Sequence, residues 1–221
     1  MAKPSTKERI KEVAVTLFNQ YGYAAVSLYN IAMEMRITRG NLTYHFKTKE
    51  SLLEAISDEM WEKILHERQK SRQLPSFENL HNEVQFYYRY QRKYAFIFLD
   101  RHVQTLPRMN QRFRSMIDQT IEDNKAAIAF AINSGNMKPE PIKGIYNNIA
   151  FNTWMLAFFW SAQEIIRKSK STYAAEIMIW SMLLPHFTPK GIKAFTTFFG
   201  EDYLDQLGEP FDANLQNMVT F

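Results

Sequence analysis

Arg39, Asn41 and Thr43 fall within five positions of one another, with Gly40 between the first two. A guanidinium can fork onto the edge of guanine, and a carboxamide can pair in the same way with adenine. Gly40 has no side chain, so the backbone there can come close to a large partner. A glycine inside a helix costs about 1 kcal/mol against alanine, so its presence one turn into a helical pattern asks for such a reason. Around this group stand Ser27, Thr38, Tyr44, His45 and Lys49, whose donors suit phosphate oxygens. Lys49 falls in the first turn of a helical pattern that opens at Thr48, where the macrodipole disfavours a cation. A phosphate shared by Lys49 and the free amides of that helix end would remove the conflict.

These residues need short, tightly joined elements to present them together. Ile10, Val13, Ala14, Leu17, Phe18 and Tyr21 follow helical spacing, and Gly22 supplies a stop. Ser27 is a good N-cap for a second helix with Leu28, Ile31, Ala32 and Met35 on one face. Thr38 caps a third, which ends near Tyr44. The link Met35-Arg36-Ile37 gives the pair helix-turn-helix dimensions. Ala32 is small where the two helices approach, and Ile37 and Leu42 can bury between them and the first helix. A fourth helix, about 48–72, has no breaker until Pro75 and is highly charged after Trp61.

The charge follows the same division. The chain has 221 residues and a formal net charge of +4. Residues 1–50 carry eight Lys/Arg against four Asp/Glu, and the remaining 171 residues carry nineteen of each. The whole excess therefore lies in the segment that holds Arg39 and Lys49, where it favours an anionic partner such as nucleic acid.

Beyond Ser76, Pro107, Pro139, Pro141, Pro185 and Pro189 punctuate helical patterns at about 76–93, 94–105, 108–135, 142–168 and 172–184. Thr188-Pro189 opens a short helix to about Phe199, and a last piece spans Glu201 to Leu207. No strand alternation and no repeat is visible. The expectation is an all-α fold of nine or ten helices, with a DNA-binding domain over 1–50 and a larger helical domain over 51–221. There is no cysteine, so no disulfide or thiolate chemistry. No Ser-His-Asp spacing, paired helical carboxylates, HExxH or phosphate-cradling glycine loop appears, and His45 has no second ligand near it in sequence. An enzyme, a metal and a cofactor are not expected. Met1 to Ile10 is polar, and the longest apolar run, Trp154 to Trp160, is too short to span a bilayer. The expected location is the cytoplasm.

Residues 6–52 resemble the DNA-binding domain of the TetR (tetracycline-repressor-like) family of bacterial transcriptional regulators. The resemblance rests on Ile10, Ala14, Leu17-Phe18, Tyr21-Gly22-Tyr23, Ser27-Leu28 and Ile31-Ala32, then on the run Ile37 to Leu52, where Tyr44-His45-Phe46 followed by Lys49 is its most specific part. It implies that the third helix lies in the major groove of double-stranded DNA. Arg39, Asn41 and Thr43 would then read bases, and Ser27, Thr38, Gly40, Tyr44, His45 and Lys49 would hold the backbone. Two positions depart from the family pattern. Arg36 stands where the family usually has glycine, and Thr43 where an aromatic or small residue is often found.

The resemblance also implies a palindromic operator, a homodimer and a ligand cavity among the middle helices. Aromatic side chains crowd two stretches, Phe86 to Phe98 and Phe151 to Trp160. Tyr90, Phe98, His102, Phe151, Trp154 and Phe158 are candidates to line a pocket for a small apolar or aromatic effector. The helices at 142–168 and 172–184 hold more apolar residues than one buried face needs, and Phe159, Ile166, Ile177 and Trp180 are candidates for the dimer interface. The expected function is a ligand-released repressor. The alternative is a DNA-binding dimer regulated by a protein partner, or one with no small-molecule effector.

Overall fold

The computed structural model describes residues 4–73, 76–167 and 174–208. Among these residues are twelve α-helices, more than the nine or ten expected, and one short 3-10 turn at Leu184–His186. Among the described residues the only strand-type pairing is one isolated bridge, Met137 with Phe187. The helices are α1 Thr6–Tyr21, α2 Leu28–Glu34, α3 Arg39–His45, α4 Lys49–Gln73, α5 Phe77–Lys93 and α6 Ala95–Leu99. They continue as α7 Arg101–Thr105, α8 Pro107–Asn133, α9 Ile145–Arg167, α10 Ala174–Leu183, α11 Pro189–Phe199 and α12 Asp202–Gly208.

Two expected helices are altered for local reasons. The single helix expected at 94–105 is broken at Asp100, which is extended (φ −83°, ψ 108°) and whose Oδ1 accepts from the His102 N–H at 2.9 Å, capping α7. The helix expected from 142 starts at Ile145, after Gly144 at φ 91°. There Glu140 Oε1 accepts from the N–H groups of Gly144 and Tyr146 and fixes the entry. The expected start at 172 lies outside the described residues.

The chain divides into two compact units, Met1–Lys70 with Gln85–Ser115, and Ser71–Val84 with Met116–Phe221. In the first, α1 opens with a capping box in which the Glu8 N–H donates to Ser5 Oγ and the Ser5 N–H to Glu8 Oε2. Gly22, at φ 82°, ends α1. Ile10, Ala14 and Phe18 of α1 are buried, as are Ile31, Leu42, and Leu52, Leu53, Ile56 and Met60 of α4. Each such side chain contributes about 1.5–3 kcal/mol by leaving water. Asn19 ties α1 to the start of α6, donating to the Lys93 carbonyl at 2.9 Å and accepting from the Phe96 N–H at 3.0 Å.

The second unit is built on Ile128, Met137, Tyr146, Ile149, Ala150, Trp180, Phe187 and Phe195. The Phe77 ring lies 5.4–5.9 Å from those of Trp180, Phe187 and Phe195. The segment after Pro185, whose role the sequence left open, supplies part of this core. Thr188 caps α11, and a Cβ on Gly191 would lie 2.0 Å from the Asn136 carbonyl oxygen, so only glycine lets α11 sit against that loop.

Candidate nucleic-acid interface

The presentation of α3 begins with how α2 starts and stops. Ser27 caps α2, accepting from the Asn30 N–H while its hydroxyl donates to Asn30 Oδ1 at 2.5 Å. Ala32 and Ile31 are buried, and the Ile37 N–H reaches back to the Ala32 carbonyl at 3.0 Å to close the turn. Arg36 takes up the change of direction at φ 55°. That left-handed conformation costs a residue with a Cβ about 1–2 kcal/mol, a strain glycine would not carry. The departure from glycine at this position leaves the turn's conformation open in the sequence, and the structure places Arg36 in the left-handed region.

Thr38 then caps α3, its Oγ1 accepting from the Asn41 N–H at 3.1 Å. Leu42 is fully buried and Phe46 almost so, which turns Arg39, Gly40 and Asn41 outward, all exposed. Tyr44 is 85% exposed, with its ring edge-on to that of His45. Among the described residues, Arg39 makes no side-chain hydrogen bond or ion pair, and neither do Arg36 and Lys47. Gly40 is helical, and a Cβ there would meet nothing nearer than Thr38 Oγ1 at 3.9 Å. Among the described residues, neither φ nor packing requires this glycine.

Three expected contacts have internal roles. The Thr43 hydroxyl lies within reach of the Arg39 and Gly40 carbonyls, 3.0 and 3.2 Å away, so its proton is used inside α3 and its methyl group is not. Ser27 uses its hydroxyl proton within the cap of α2. Lys49 donates to the carbonyls of Tyr23 at 2.9 Å and Ala24 at 3.4 Å, with its ammonium 4.4 Å from the centre of the Tyr23 ring. Those carbonyls account for a cation in the first turn of α4 without a phosphate. Tyr23 is the buried hub of this joint, and burial, helped by the Glu50 charge, pushes its phenol up to about 12. Its backbone N–H donates to Asp100 Oδ2 at 3.2 Å. No local pattern announces this clasp, because its partners are 77 and 26 positions away.

The expected pocket residues divide between the two units. In the first, Tyr90 stacks on Phe86 at 4.4 Å and Phe98 is buried against Trp61, Phe113 and Tyr87. His102 is exposed, with its ring parallel to that of Tyr23 at 6.0 Å. These are three different neighbourhoods. In the second unit, Trp154 lies 5.2 Å from Phe151 and 5.7 Å from Phe158. Phe151 is 43% exposed, so it is a surface residue of this unit. Of the expected interface residues, Ile166 is 81% and Phe159 49% exposed, and Ile177 is half-buried. Trp180 is corrected: it is 3% exposed, locked among Phe77, Phe195 and Phe199, with its indole N–H on Glu176. It is a core residue of its own unit.

The family model described as bacterial regulatory proteins, tetR family, matches residues 10–56, and the one described as bacterial transcriptional repressor matches residues 57–195. The chain belongs to the TetR family. This TetR-family chain is thus a helix-turn-helix DNA-binding transcription regulator. It is 40% identical over 60 residues to the probable HTH-type transcriptional regulator YttP of Bacillus subtilis, a match covering 27% of this chain and 29% of that protein. It is 32% identical over 66 residues to the A-factor receptor protein of Streptomyces griseus, covering 30% and 24%. The chain thus spans under a third of these curated relatives. A crystal structure of a TetR-family transcriptional regulator from Marinobacter aquaeolei VT8 shares the fold, with a TM-score of 0.77 at 19% identity over 90% of this chain and 99% of that one. Among the described residues no helix is long and apolar enough to cross a membrane.

Proposed function

We propose that this regulator is a homodimeric repressor acting in the cytoplasm, which holds a palindromic operator and is released from it by a small apolar or aromatic molecule. The observation that carries the reading is the outer side of α3, where Arg39 and Asn41 stand exposed on either side of a glycine that nothing in the chain requires. Arg39, Asn41 and the Thr43 methyl read bases, and Thr38, Tyr44, His45 and the Gly40 backbone hold phosphates. Ser27 and Lys49 act mainly by bracing the head. Residues 1–50 are the DNA-reading part and 51–221 the sensing and dimerising part.

One such head covers few base pairs. A two-fold dimer sets two of them about one helical turn apart, roughly 34–36 Å, and so reads a palindrome. The exposed apolar side of α9, with Phe159 and Ile166, supports that pairing, helped by Ile177. Trp154 supports an effector: its indole N–H is buried without a hydrogen-bond partner beside Phe151 and Phe158, a donor suited to an acceptor on an aromatic ligand. The receptor named among the relatives points the same way. A ligand that prefers one conformation shifts the population toward it, by no more than its difference in affinity for the two states.

The test is nuclease protection of the DNA upstream of the protein's own gene, followed by a melting-temperature screen with aromatic compounds. A protected palindrome, freed by a compound that raises the melting temperature, is the expected result. Absence of any protected palindrome at low salt defeats the DNA reading, and a screen with no stabilising compound defeats the effector reading.

A further inference from the structure

We infer that Arg36 is an additional DNA contact, whose guanidinium neutralises a phosphate beside the bases that α3 reads. This rests on the reading of α3 proposed above. Among the described residues Arg36 is the one non-glycine at positive φ, the others being Gly22, Gly135, Gly144 and Gly200. Residues held in such strained conformations cluster at sites where the protein acts on a partner, so the side chain of Arg36 is the place to look for what offsets the strain.

Inside the chain Arg36 contributes nothing visible. It is exposed, and its guanidinium has no hydrogen bond, ion pair or ring partner among the described residues. The neighbouring carboxylate of Glu34 does not pair with it either. Other cations of the same unit are engaged: Arg108 with Glu54 and Asp58, Arg112 with Asp58, Lys11 and Lys63 with Glu59. Arg36 stands between the last residue of α2 and the cap of α3, three positions before Arg39. It is outside α3 and so off the row that reads bases, and its long side chain suits the backbone wall of the groove better than the base edges. A phosphate needs only charge and donors and carries no sequence information, which suits an arginine set on a turn.

The test uses the full-length protein with Arg36→Gly, Arg36→Lys and, as control, Arg39→Ala. Each is titrated from about 50 to 200 mM salt with the protected palindromic duplex and with a random duplex of equal length. Arg36→Gly is expected to melt about 2–4 °C higher because the strain is gone. It should bind both duplexes more weakly, with a log K against log salt slope shallower by about 2 for a dimer that loses two phosphate contacts. The wild-type advantage then shrinks about tenfold across that salt range. Arg36→Lys should keep the wild-type slope.

Wild-type affinity and slope in Arg36→Gly, while Arg39→Ala loses its preference for the palindrome, overturns the inference and leaves the reading of α3 intact. A loss confined to the palindrome overturns it too, since that is a base contact. Equal slope loss in Arg36→Gly and Arg36→Lys also overturns it. If Arg39→Ala keeps the preference, the reading of α3 fails and takes this inference with it.

Discussion

The outer side of α3 and the outer side of α9 are both exposed, and their chemistry is opposite. On α3 the exposed groups are Arg39, Asn41 and Tyr44, with side-chain donors that no described residue uses. On α9 they are Phe151, Met155, Phe159, Ile165 and Ile166. Phe151, Met155, Phe159 and Ile166 are spaced four, four and seven apart, which makes one stripe along the helix, while Ile149, Ala150, Phe158 and Trp160 are buried. Exposure alone says little about purpose, since much of any protein surface is apolar. What distinguishes the two regions is what each lacks: α3 lacks counter-charges and acceptors, and α9 lacks a cover from water. In the function proposed above, nucleic acid meets the first, and a second copy of α9, packed about a two-fold axis, meets the second.

The largest expected effect comes from making α9 resemble α3. Phe159→Glu with Ile166→Glu puts four like charges into a two-fold interface, and such juxtaposition costs several kcal/mol. Light scattering should report a monomer with wild-type helicity. Binding to the palindrome should fall by more than about a hundredfold, while a half-site is still bound weakly at low salt. A dimer that survives both substitutions would place the interface elsewhere.

Trp180→Ala comes next, and it separates core from interface. Removing a fully packed tryptophan costs about 3–5 kcal/mol of stability. Chemical denaturation should show that loss, while the protein that remains folded stays dimeric and keeps its DNA preference. A change in association state at temperatures where the variant is folded would return Trp180 to the interface.

The same pair of regions shows what the sequence could and could not convey. The head was legible because its determinants are contiguous. The caps Ser27, Thr38 and Thr48, the small Ala32, the inward Leu42 and the outward Arg39 all lie within about twenty residues, where local spacing decides direction. Even there, the long-range partners of Lys49 could not be read, and an ammonium expected on phosphate is found on the carbonyls of Tyr23 and Ala24. In α9 and α10 the pattern is apolar nearly all round, so periodicity carries no direction. Core, interface and pocket residues then look alike in sequence: Trp180 reads as an interface residue although Phe77, far away in sequence, covers it, and Phe151 and Phe158 read alike although they are 43% and 9% exposed. The break at Asp100, which starts a new helix and leaves His102 at the surface, is likewise invisible to spacing.

Arg39→Ala is a smaller change with a more selective readout. Losing one bidentate base contact costs about 1–3 kcal/mol of discrimination. The palindrome should lose that much affinity relative to random duplex, while association state and melting temperature are unchanged. Lack of any selective loss would mean that the unpartnered donors of α3 are only a solvated surface, and the contrast with α9 would lose one of its sides.

The smallest expected effect tests the joint that holds the head to α4. Glu59 of α4 bonds Lys11 of α1 and Lys63. Burial alone would raise its carboxyl, but the hydrogen bonds from the two lysines outweigh it and bring it from 4.5 to about 2. A depressed folded-state value means that the folded protein binds fewer protons than the unfolded one below about pH 4.5. The contribution is therefore complete above that pH and is lost as pH falls through about 2. Because the group is partly exposed, solvent and salt screen it, and the loss is modest. In Glu59→Gln, the deficit in melting temperature against wild type should be constant from neutrality to about pH 5 and then shrink with acid. DNA preference should not change, since Glu59 touches no base reader. A deficit that stays constant through the acid range would assign the effect to packing. A deficit that shrinks only near pH 6–7 would point to a histidine.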